Sequence, residues 1–245
     1  GTEAAASSGK RVRYLDNILT AGRNLLAMIN TLLEMAKIEA GRVELTLERV
    51  SLHDTCRGLL GLIFPLAQQR GIELKLEVPE DIPLIVTDSK KFQQIVFNFL
   101  SNAVKFTEPA ERTGRVPQIV LRAEKLVGSE LLDSAVTPES RYRISVIDNG
   151  RGISPEDQAR IFEKFVQADG GHTREHAGTG LGLAICKELA TLLHGEIQVV
   201  SEVGRGSMFS VIIPGAITGP AAKESQLESK FRGALGGRRD WSAEG

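Results

Sequence analysis

The first strong pattern along the chain is a helical repeat of apolar positions near the N-terminus. Steps of three and four separate its members, without an intervening proline: Leu15, Ile18, Gly22, Leu25, Ile29, Leu32 and Ala36. This spacing predicts a helix with one apolar seam, and Gly41 supplies a stop before strand-like residues begin. About three heptads are too few to be stable alone in water, so the seam needs partner helices. The helix either packs on its own domain or joins a dimeric bundle.

Mixed helix and strand patterns follow. Alternating apolar positions predict strands at 43–47, 72–79, 118–125, 141–148, 196–201 and 207–214. Helical periodicity predicts helices at 51–71, 89–106, 155–167 and 180–194. The expected fold class is α+β: a two-layer sandwich of a mixed, mostly antiparallel sheet with helices on one face, preceded by the bundle-forming helix. The predicted organisation is 1–46 for that helix, 47–214 for the main domain and 215–245 for a linker or tail.

Composition and charge bear on which partners and which cellular compartment the sequence favours. The net charge is -1, with 30 Lys and Arg against 31 Asp and Glu, so no global field favours nucleic acid. Cys56 and Cys186 lack the spacing of a zinc or redox motif, and no apolar run approaches the roughly 20 residues that cross a bilayer. We expect a cytoplasmic protein, with a membrane anchor conceivable further upstream.

One predicted helix carries three polar residues on a single face. Asn98 and Asn102 are four positions apart, and Lys105 follows three later. Carboxamide oxygens suit a magnesium ion that bridges phosphate oxygens, and a lysine supplies charge to a phosphate. The competing interpretation is an ordinary amphipathic helix with solvated amides.

Two glycine-bearing motifs lie further along the chain. Asp148 ends a strand before Gly150 and Gly152, where a carboxylate can accept a hydrogen bond from an exocyclic amine such as that of adenine, although DNG is also a common turn. A second group leads directly into a helix, whose N-terminus favours a phosphate: Gly178, Gly180 and Gly182. The polar stretch 169–179 before that helix has the character of a lid, in which Arg174 can reach a phosphate.

Taken in order, these motifs resemble the nucleotide site of histidine-kinase catalytic domains. The matching segments are NFLSNAVKFT, DNGRG, IFEKFVQAD and GTGLGLAI. That domain shares its ATP fold with gyrase, Hsp90 and MutL. The resemblance runs from about residue 51 to 214, and the segment NLLAMINTLLEMAKIEAG resembles the second helix of a kinase dimerisation hairpin.

The resemblance implies a role for each matching position. Asn102 is expected to coordinate Mg²⁺ with Asn98 nearby, Lys105 to contact phosphate, and Asp148 to recognise adenine. Phe162 and Phe165 are expected to support the lid, and Ser207 to lie at the adenine end. The remaining expected ATP-binding residues belong to the glycine motifs: Gly150, Gly152, Ile153, Arg174, Gly178, Thr179, Gly180, Leu181, Gly182 and Leu183.

One position separates kinases from hydrolases within the resemblance. Hydrolysing relatives have a glutamate as general base where this chain has Asn98, and an amide does not take up a proton at neutral pH. A histidine kinase that phosphorylates a histidine for relay to a response-regulator aspartate is therefore the leading hypothesis. The alternatives are a non-catalytic ATP-binding interaction module and a gyrase-type ATPase.

None of the four histidines has the context of a phosphoacceptor. His53 is followed by Asp54 but lies after the hairpin helix, His172 and His176 fall in the expected lid, and His194 ends a helix. The sequence therefore predicts that the acceptor histidine belongs to a longer parent or to a partner. The expected partners are ATP, that histidine, a receiver domain and a second copy of the chain.

Overall fold

The computed structural model describes residues 14–15, 18–19, 21–22, 25–26, 28–30, 32–38, 40–110, 114–126, 140–166 and 180–217. Its described residues between 14 and 38 are helical, and Gly41 follows in the left-handed conformation, with a φ of 64°. The helix therefore ends where the sequence predicted. Within the described residues, no helix is both long and apolar enough to cross a membrane.

Among the described residues, seven strands form two sheets. Their bounds are β1 Glu48–Val50, β2 Glu73–Glu77, β3 Ile85–Thr87, β4 Gln118–Leu126, β5 Arg141–Asp148, β6 Glu196–Glu202 and β7 Gly206–Pro214. The main sheet has the order β2-β4-β5-β7-β6, and β1 pairs with β3 separately. Only β2 and β4 run parallel in the main sheet, so it is mixed and mostly antiparallel. This sheet confirms the fold class expected from the sequence.

Four helices accompany the sheet in the part of the chain that the structure describes after residue 47. Their bounds are α1 Leu52–Gln69, α2 Ser89–Phe106, α3 Pro155–Gln158 and α4 Gly182–Leu192. One continuous apolar core joins α1, α2 and α4 to the inward-facing residues of the strands. On β4, for example, Ile119, Leu121 and Ala123 are all buried. Alternate residues of a strand point to opposite faces, so the helices cover one face of the sheet.

Two expected elements were wrong, and one was missed. Residues 43–47 form no strand, because the Thr46 N–H donates to the Asp88 carboxylate at 2.9 Å, and the strand begins at Glu48 instead. The helix expected over 155–167 stops at Gln158, and Phe165 takes a left-handed φ of 64° that a helix does not allow. The short strand β3 gave no alternating pattern long enough to detect.

The helix that precedes β1 is anchored to α2. Glu34 accepts hydrogen bonds from Lys91 Nζ at 2.7 Å and from Gln94 Nε2 at 2.9 Å, while Met35 is buried. At the other end of the domain, the Ile217 N–H donates to Val86 O at 2.9 Å, and Ile217 is also buried. The first helix and the last described residue therefore both contact the region around the start of α2.

Candidate functional site

Helix α2 presents the first group of predicted site residues. Asp88 caps its N-terminus by accepting a hydrogen bond from the Lys91 N–H at 3.0 Å. The predicted apolar face is buried without exception: Phe92, Ile95, Val96, Phe99, Leu100 and Ala103. Burial of that stripe fixes the rotation of the helix about its axis, leaving Asn98, Asn102 and Lys105 partly buried on another part of its surface.

Asn98 lies at the contact between α2 and the start of α4. A side chain built on Gly182 would meet Asn98 Oδ1 at 3.6 Å, so the amide and the glycine are neighbours. Burial raises the pKa of the adjacent Cys186 thiol to about 12, and a hydrogen bond with Asn98 acts in the opposite direction. The structure thus brings the asparagine motif and the last glycine motif together.

The C-terminus of α2 contacts the glycine loop after β5. A Cβ atom on Gly150 would lie 2.5 Å from Phe106 O and 2.8 Å from Asp148 Oδ1, so only glycine fits there without a shift. The Arg151 N–H donates to the same Phe106 carbonyl at 3.4 Å. Gly152, with a φ of 70°, packs its α-carbon against the backbone of Glu202. Both glycines therefore serve close packing of backbone segments.

Asp148 is a buried carboxyl group at the end of β5. It is 8% exposed, and burial raises the pKa of its side chain to about 6, against hydrogen bonds from the backbone of Gly150 and Ser207 that lower it. The Gly150 N–H donates to Asp148 Oδ1 at 2.9 Å. A carboxylate in this position gains from any further donor, because hydrogen bonds to the charged form offset its desolvation.

Ser207 faces Asp148 across the pairing of β5 with β7. Its hydroxyl lies 2.9 Å from that of Ser201, which also accepts a hydrogen bond from the Ile153 N–H at 2.9 Å and donates to Gly206 O. The predicted residues Ile153 and Ser207 therefore belong to one hydrogen-bonded network beside Asp148.

The segment after α3 reaches the start of the last glycine motif. The Phe165 N–H donates to Gly180 O at 3.0 Å, and Gly180, with a φ of 68°, leaves no room for a side chain beside the Phe165 backbone. Leu181 is buried, while Phe162 and Leu183 pack partly against the core. Arg174, Gly178 and Thr179 lie outside the described residues, as do His172 and His176.

Two cationic side chains share one aromatic ring near the end of α2. Lys105 Nζ is 4.8 Å and Arg151 Cζ is 4.7 Å from the centroid of the Phe106 ring. Both distances fall within the range of cation–π attraction. The ring therefore holds positive charge where the α2 motif meets the glycine loop, a feature that suits an anionic ligand.

Family comparison identifies the domain that carries this geometry. The family described as "Histidine kinase-, DNA gyrase B-, and HSP90-like ATPase" matches residues 87–217, which include α2, the Asp148 loop and α4. The chain belongs to this ATPase family. The matched region is accordingly an ATP-binding domain.

Two curated relatives of this ATPase-family chain are sensor proteins. "Autoinducer 2 sensor kinase/phosphatase LuxQ" of Vibrio vulnificus is 37% identical over 213 residues, which are 86% of this chain and 23% of that protein. "Sensor protein GacS" of Pseudomonas syringae is 37% identical over 227 residues, or 92% of this chain and 23% of that protein. The chain thus spans about a quarter of the length of these relatives.

Solved structures agree with the ATPase-family assignment. Full-length ShkA, crystallised in complex with AMPPNP, superimposes with a TM-score of 0.65 and 35% identity, over 79% of this chain and 36% of that one. The histidine kinase AdeS of Acinetobacter baumannii gives a TM-score of 0.62 at 18% identity, covering 82% of this chain and 83% of that one. At that lower identity, the likeness to AdeS shows the fold alone.

Three residues that contact the predicted site residues were not themselves predicted from the sequence: Phe106, Arg151 and Ser201. Arg151 and Phe106 each belong to a different sequence motif, and their cation–π contact joins the two motifs. Ser201 could have been found, because a hairpin over the turn 203–205 places it opposite Ser207. The first two depended on a contact between α2 and a distant loop, which no local pattern encodes.

Proposed function

We propose that this chain is the ATP-binding kinase part of a two-component sensor histidine kinase. The observation that supports the proposal most directly is that the sequence motifs meet around α2. On this helix, the Asn98 side chain adjoins Gly182, and the Phe106 carbonyl adjoins Gly150. Asp148, next to that loop, faces Ser207. Residues far apart in sequence therefore share one neighbourhood, as a single nucleotide site requires.

The proposed reaction transfers the γ-phosphoryl group of ATP to an imidazole nitrogen. The bond between the γ-phosphorus and the β,γ-bridging oxygen breaks, a phosphorus–nitrogen bond forms, the imidazole releases a proton, and ADP leaves. In this chain Asp148 would accept a hydrogen bond from the exocyclic amine of adenine, and Lys105 would neutralise phosphate charge. Catalysis would come from alignment and charge neutralisation, which dominate phosphoryl transfer in general.

The donor set around α2 fits Mg²⁺ bound together with a triphosphate. Asn102, with Asn98 nearby, offers neutral amide oxygens, and the described residues contain no cluster of three or more His, Cys, Asp or Glu that could hold a metal alone. A site with few protein ligands suits Mg²⁺, which keeps several waters and phosphate oxygens in its shell. When bound, the ion would supply neutralisation of the phosphate charge.

The proposed partners follow from the same reaction. The acceptor histidine would lie outside this sequence, on a hairpin helix that pairs with the helix before β1. A receiver domain would take the phosphoryl group onto an aspartate, and two copies would associate through the apolar seam. The cytoplasm, which supplies ATP, is the proposed compartment.

Phosphotransfer to a companion fragment tests the proposal. The chain is mixed with a fragment that carries the acceptor hairpin and with γ-labelled ATP, and Asn102→Asp and Asp148→Asn are compared with Ser101→Ala, an exposed neighbour on α2. We expect acid-labile, base-stable label on the companion with the unchanged chain and with Ser101→Ala. Both site variants should lose transfer while retaining the fold by circular dichroism.

The other outcomes separate the competing functions. Tight Mg-ATP binding without transfer to the companion would favour a non-catalytic binding module. Steady phosphate release without an acceptor would favour an ATPase, against the expectation from Asn98. Calorimetry that detects no Mg-ATP binding would contradict all three.

A further inference from the structure

A side chain from α1 contacts the last turn of α2. Arg70, the C-cap residue of α1, donates from Nη1 to Val104 O at 2.8 Å and to Lys105 O at 3.0 Å. These residues are 34 and 35 positions away in sequence. The contact therefore joins the C-terminal ends of two helices that local sequence does not connect.

This contact completes the hydrogen bonding at the C-terminal end of α2. The last four carbonyls of a helix lack partners within it. In α2, the carbonyl of Ala103 receives the Thr107 N–H at 2.9 Å and that of Phe106 receives the Arg151 N–H at 3.4 Å. Arg70 supplies the partner for the two carbonyls between them, one of which belongs to Lys105 itself.

The charge of Arg70 also acts on this end of the helix. The C-terminus of a helix carries a partial negative charge of roughly half an electron, which is unfavourable beside an anion. A guanidinium bound to those carbonyls offsets that charge, and two hydrogen bonds from one planar group restrict the turn more than a single ammonium does. Lys105 and Phe106 occupy this turn.

We propose that Arg70 is a positioning residue for the phosphate part of the nucleotide site, acting through the last turn of α2 and Lys105. The inference rests on the proposed function, because it requires that Lys105 contacts phosphate. Arg70 itself touches carbonyl groups of the protein and is not assigned a contact with the nucleotide.

The test compares ligands with and without phosphates. Calorimetry measures Mg-ATP and adenosine binding to the unchanged chain, Arg70→Gln and Arg70→Lys. We expect Arg70→Gln to weaken Mg-ATP binding about tenfold and adenosine binding less than about twofold, because only the charge and order at the phosphate end change. Arg70→Lys should recover part of the loss, because an ammonium retains the charge but lacks the rigid planar geometry of the guanidinium.

A matched control and a double variant isolate the mechanism. Arg141 Nη1 donates to His194 O at 3.0 Å, just beyond the end of α4, so Arg141→Gln removes a bond of the same kind elsewhere. It should leave both affinities unchanged. In a Lys105→Met background, Arg70→Gln should weaken Mg-ATP binding by about threefold at most, since ordering of Lys105 no longer contributes and only the effect on the helix-end charge remains.

The measurements distinguish local loosening of the α2 turn, an incorrect role for Arg70 and an incorrect proposed function. Faster amide hydrogen exchange at Thr107 in Arg70→Gln, with an unchanged far-ultraviolet spectrum, would support local loosening of the turn. Equal weakening of adenosine and Mg-ATP, or a full tenfold loss in the Lys105→Met background, would overturn the assignment of Arg70. Absence of Mg-ATP binding by the unchanged chain would overturn the proposed function itself.

Discussion

Asp148, the residue proposed to recognise adenine, carries a cost to the free protein. Its environment raises the carboxyl pKa from 3.8 to about 6 through burial, although two backbone N–H groups already donate to it. At neutral pH the group is charged in a place that favours the neutral form. A ligand that donates one more hydrogen bond would offset this desolvation penalty. Part of the ligand's affinity would then come from the destabilising environment of Asp148 in the free protein.

Asp148→Asn should therefore stabilise the free protein near pH 7 and weaken nucleotide binding. Because the folded pKa is raised, the favourable contribution of Asp148 is present below pH 3.8 and is lost as the pH rises through about 6. The shift corresponds to at most about 3 kcal/mol in the free energy of unfolding. Urea unfolding of the variant and the unchanged chain between pH 4 and 7 measures this difference.

The control for that prediction is Asp81→Asn, since Asp81 is exposed. Its variant should show no growing difference from the unchanged chain across the same pH range. A difference for Asp148→Asn that shrinks as the pH rises would contradict the assigned sign of the pKa shift. An Mg-ATP affinity of Asp148→Asn equal to that of the unchanged chain would show that Asp148 does not contribute to nucleotide binding.

Gly150 is expected to be sensitive to a single added methyl group. In Gly150→Ala the new carbon would press on Phe106 O and Asp148 Oδ1, so the glycine loop and the end of α2 must separate. We expect a loss of about 1–3 kcal/mol in the free energy of unfolding, as for other overpacked sites. Equilibrium denaturation measures it, and Mg-ATP calorimetry should show weaker binding.

Gly58→Ala provides the opposite case within the same chain. Gly58 lies inside α1, and an added methyl group there meets nothing within 4 Å. Alanine should stabilise the helix by up to about 1 kcal/mol. Destabilisation of both variants to the same degree would show that the close approach at Gly150 has no special importance.

At the scale of elements, α2 is held by contacts from several directions. Asp88 links its N-terminus to the segment before β1 through Thr46, and Glu34 contacts its first turns. Arg70 binds its last turn. The helix that carries Asn98 and Asn102 is therefore fixed at both ends by parts of the chain that precede it.

The pair of Glu34 and Lys91 should contribute measurably to the docking of the first helix. Burial tends to raise the pKa of Glu34, but hydrogen bonds from Lys91 and Gln94 outweigh it, so its pKa is lowered. The stabilisation is thus present above pH 4.5 and lost as the pH falls through the lower folded pKa. A double-mutant cycle with Glu34→Gln and Lys91→Met should give a coupling of about 1 kcal/mol at pH 7.

An exposed pair supplies the comparison. Glu77 and Arg122 contact each other with side chains that are 44% and 46% exposed, against 25% and 20% for Glu34 and Lys91. Its coupling should lie near zero, as for most surface pairs. Coupling energies of equal size in the two cycles would show that the pair of Glu34 and Lys91 contributes no more than an ordinary surface pair to the contact between the first helix and α2.

Local sequence patterns predict the structure correctly where they agree with burial. The apolar stripe of α2 predicted its buried face residue by residue, and the alternation of β4 and β5 predicted their pairing. Local patterns predict the structure wrongly where the backbone makes a long-range hydrogen bond. Thr46 donates to a distant aspartate, and Phe165 to Gly180, so neither segment follows its own propensity. The assigned chemical roles of the site residues remain predictions.

At the scale of the whole molecule, the first helix has one anchored side and one uncovered side. Met35 is 3% exposed, whereas apolar residues of the predicted seam remain largely exposed: Leu15, Ile18, Leu25, Ile29 and Leu32. An amphipathic helix of this kind gains stability by burying its stripe against another helix. Docking on α2 leaves most of that stripe available.

The chain should therefore self-associate through the seam. The double variant Leu25→Glu, Leu32→Glu should weaken this association by at least about tenfold, because it places charges in an apolar contact. Sedimentation at several concentrations measures it. Leu62→Glu with Leu66→Glu alters exposed leucines of α1 outside the seam and should leave the association constant unchanged. Both double variants should bind Mg-ATP normally, since neither changes a residue of the proposed nucleotide site. A chain that stays monomeric at all concentrations, or loses association equally in both variants, would exclude the seam as the contact between copies.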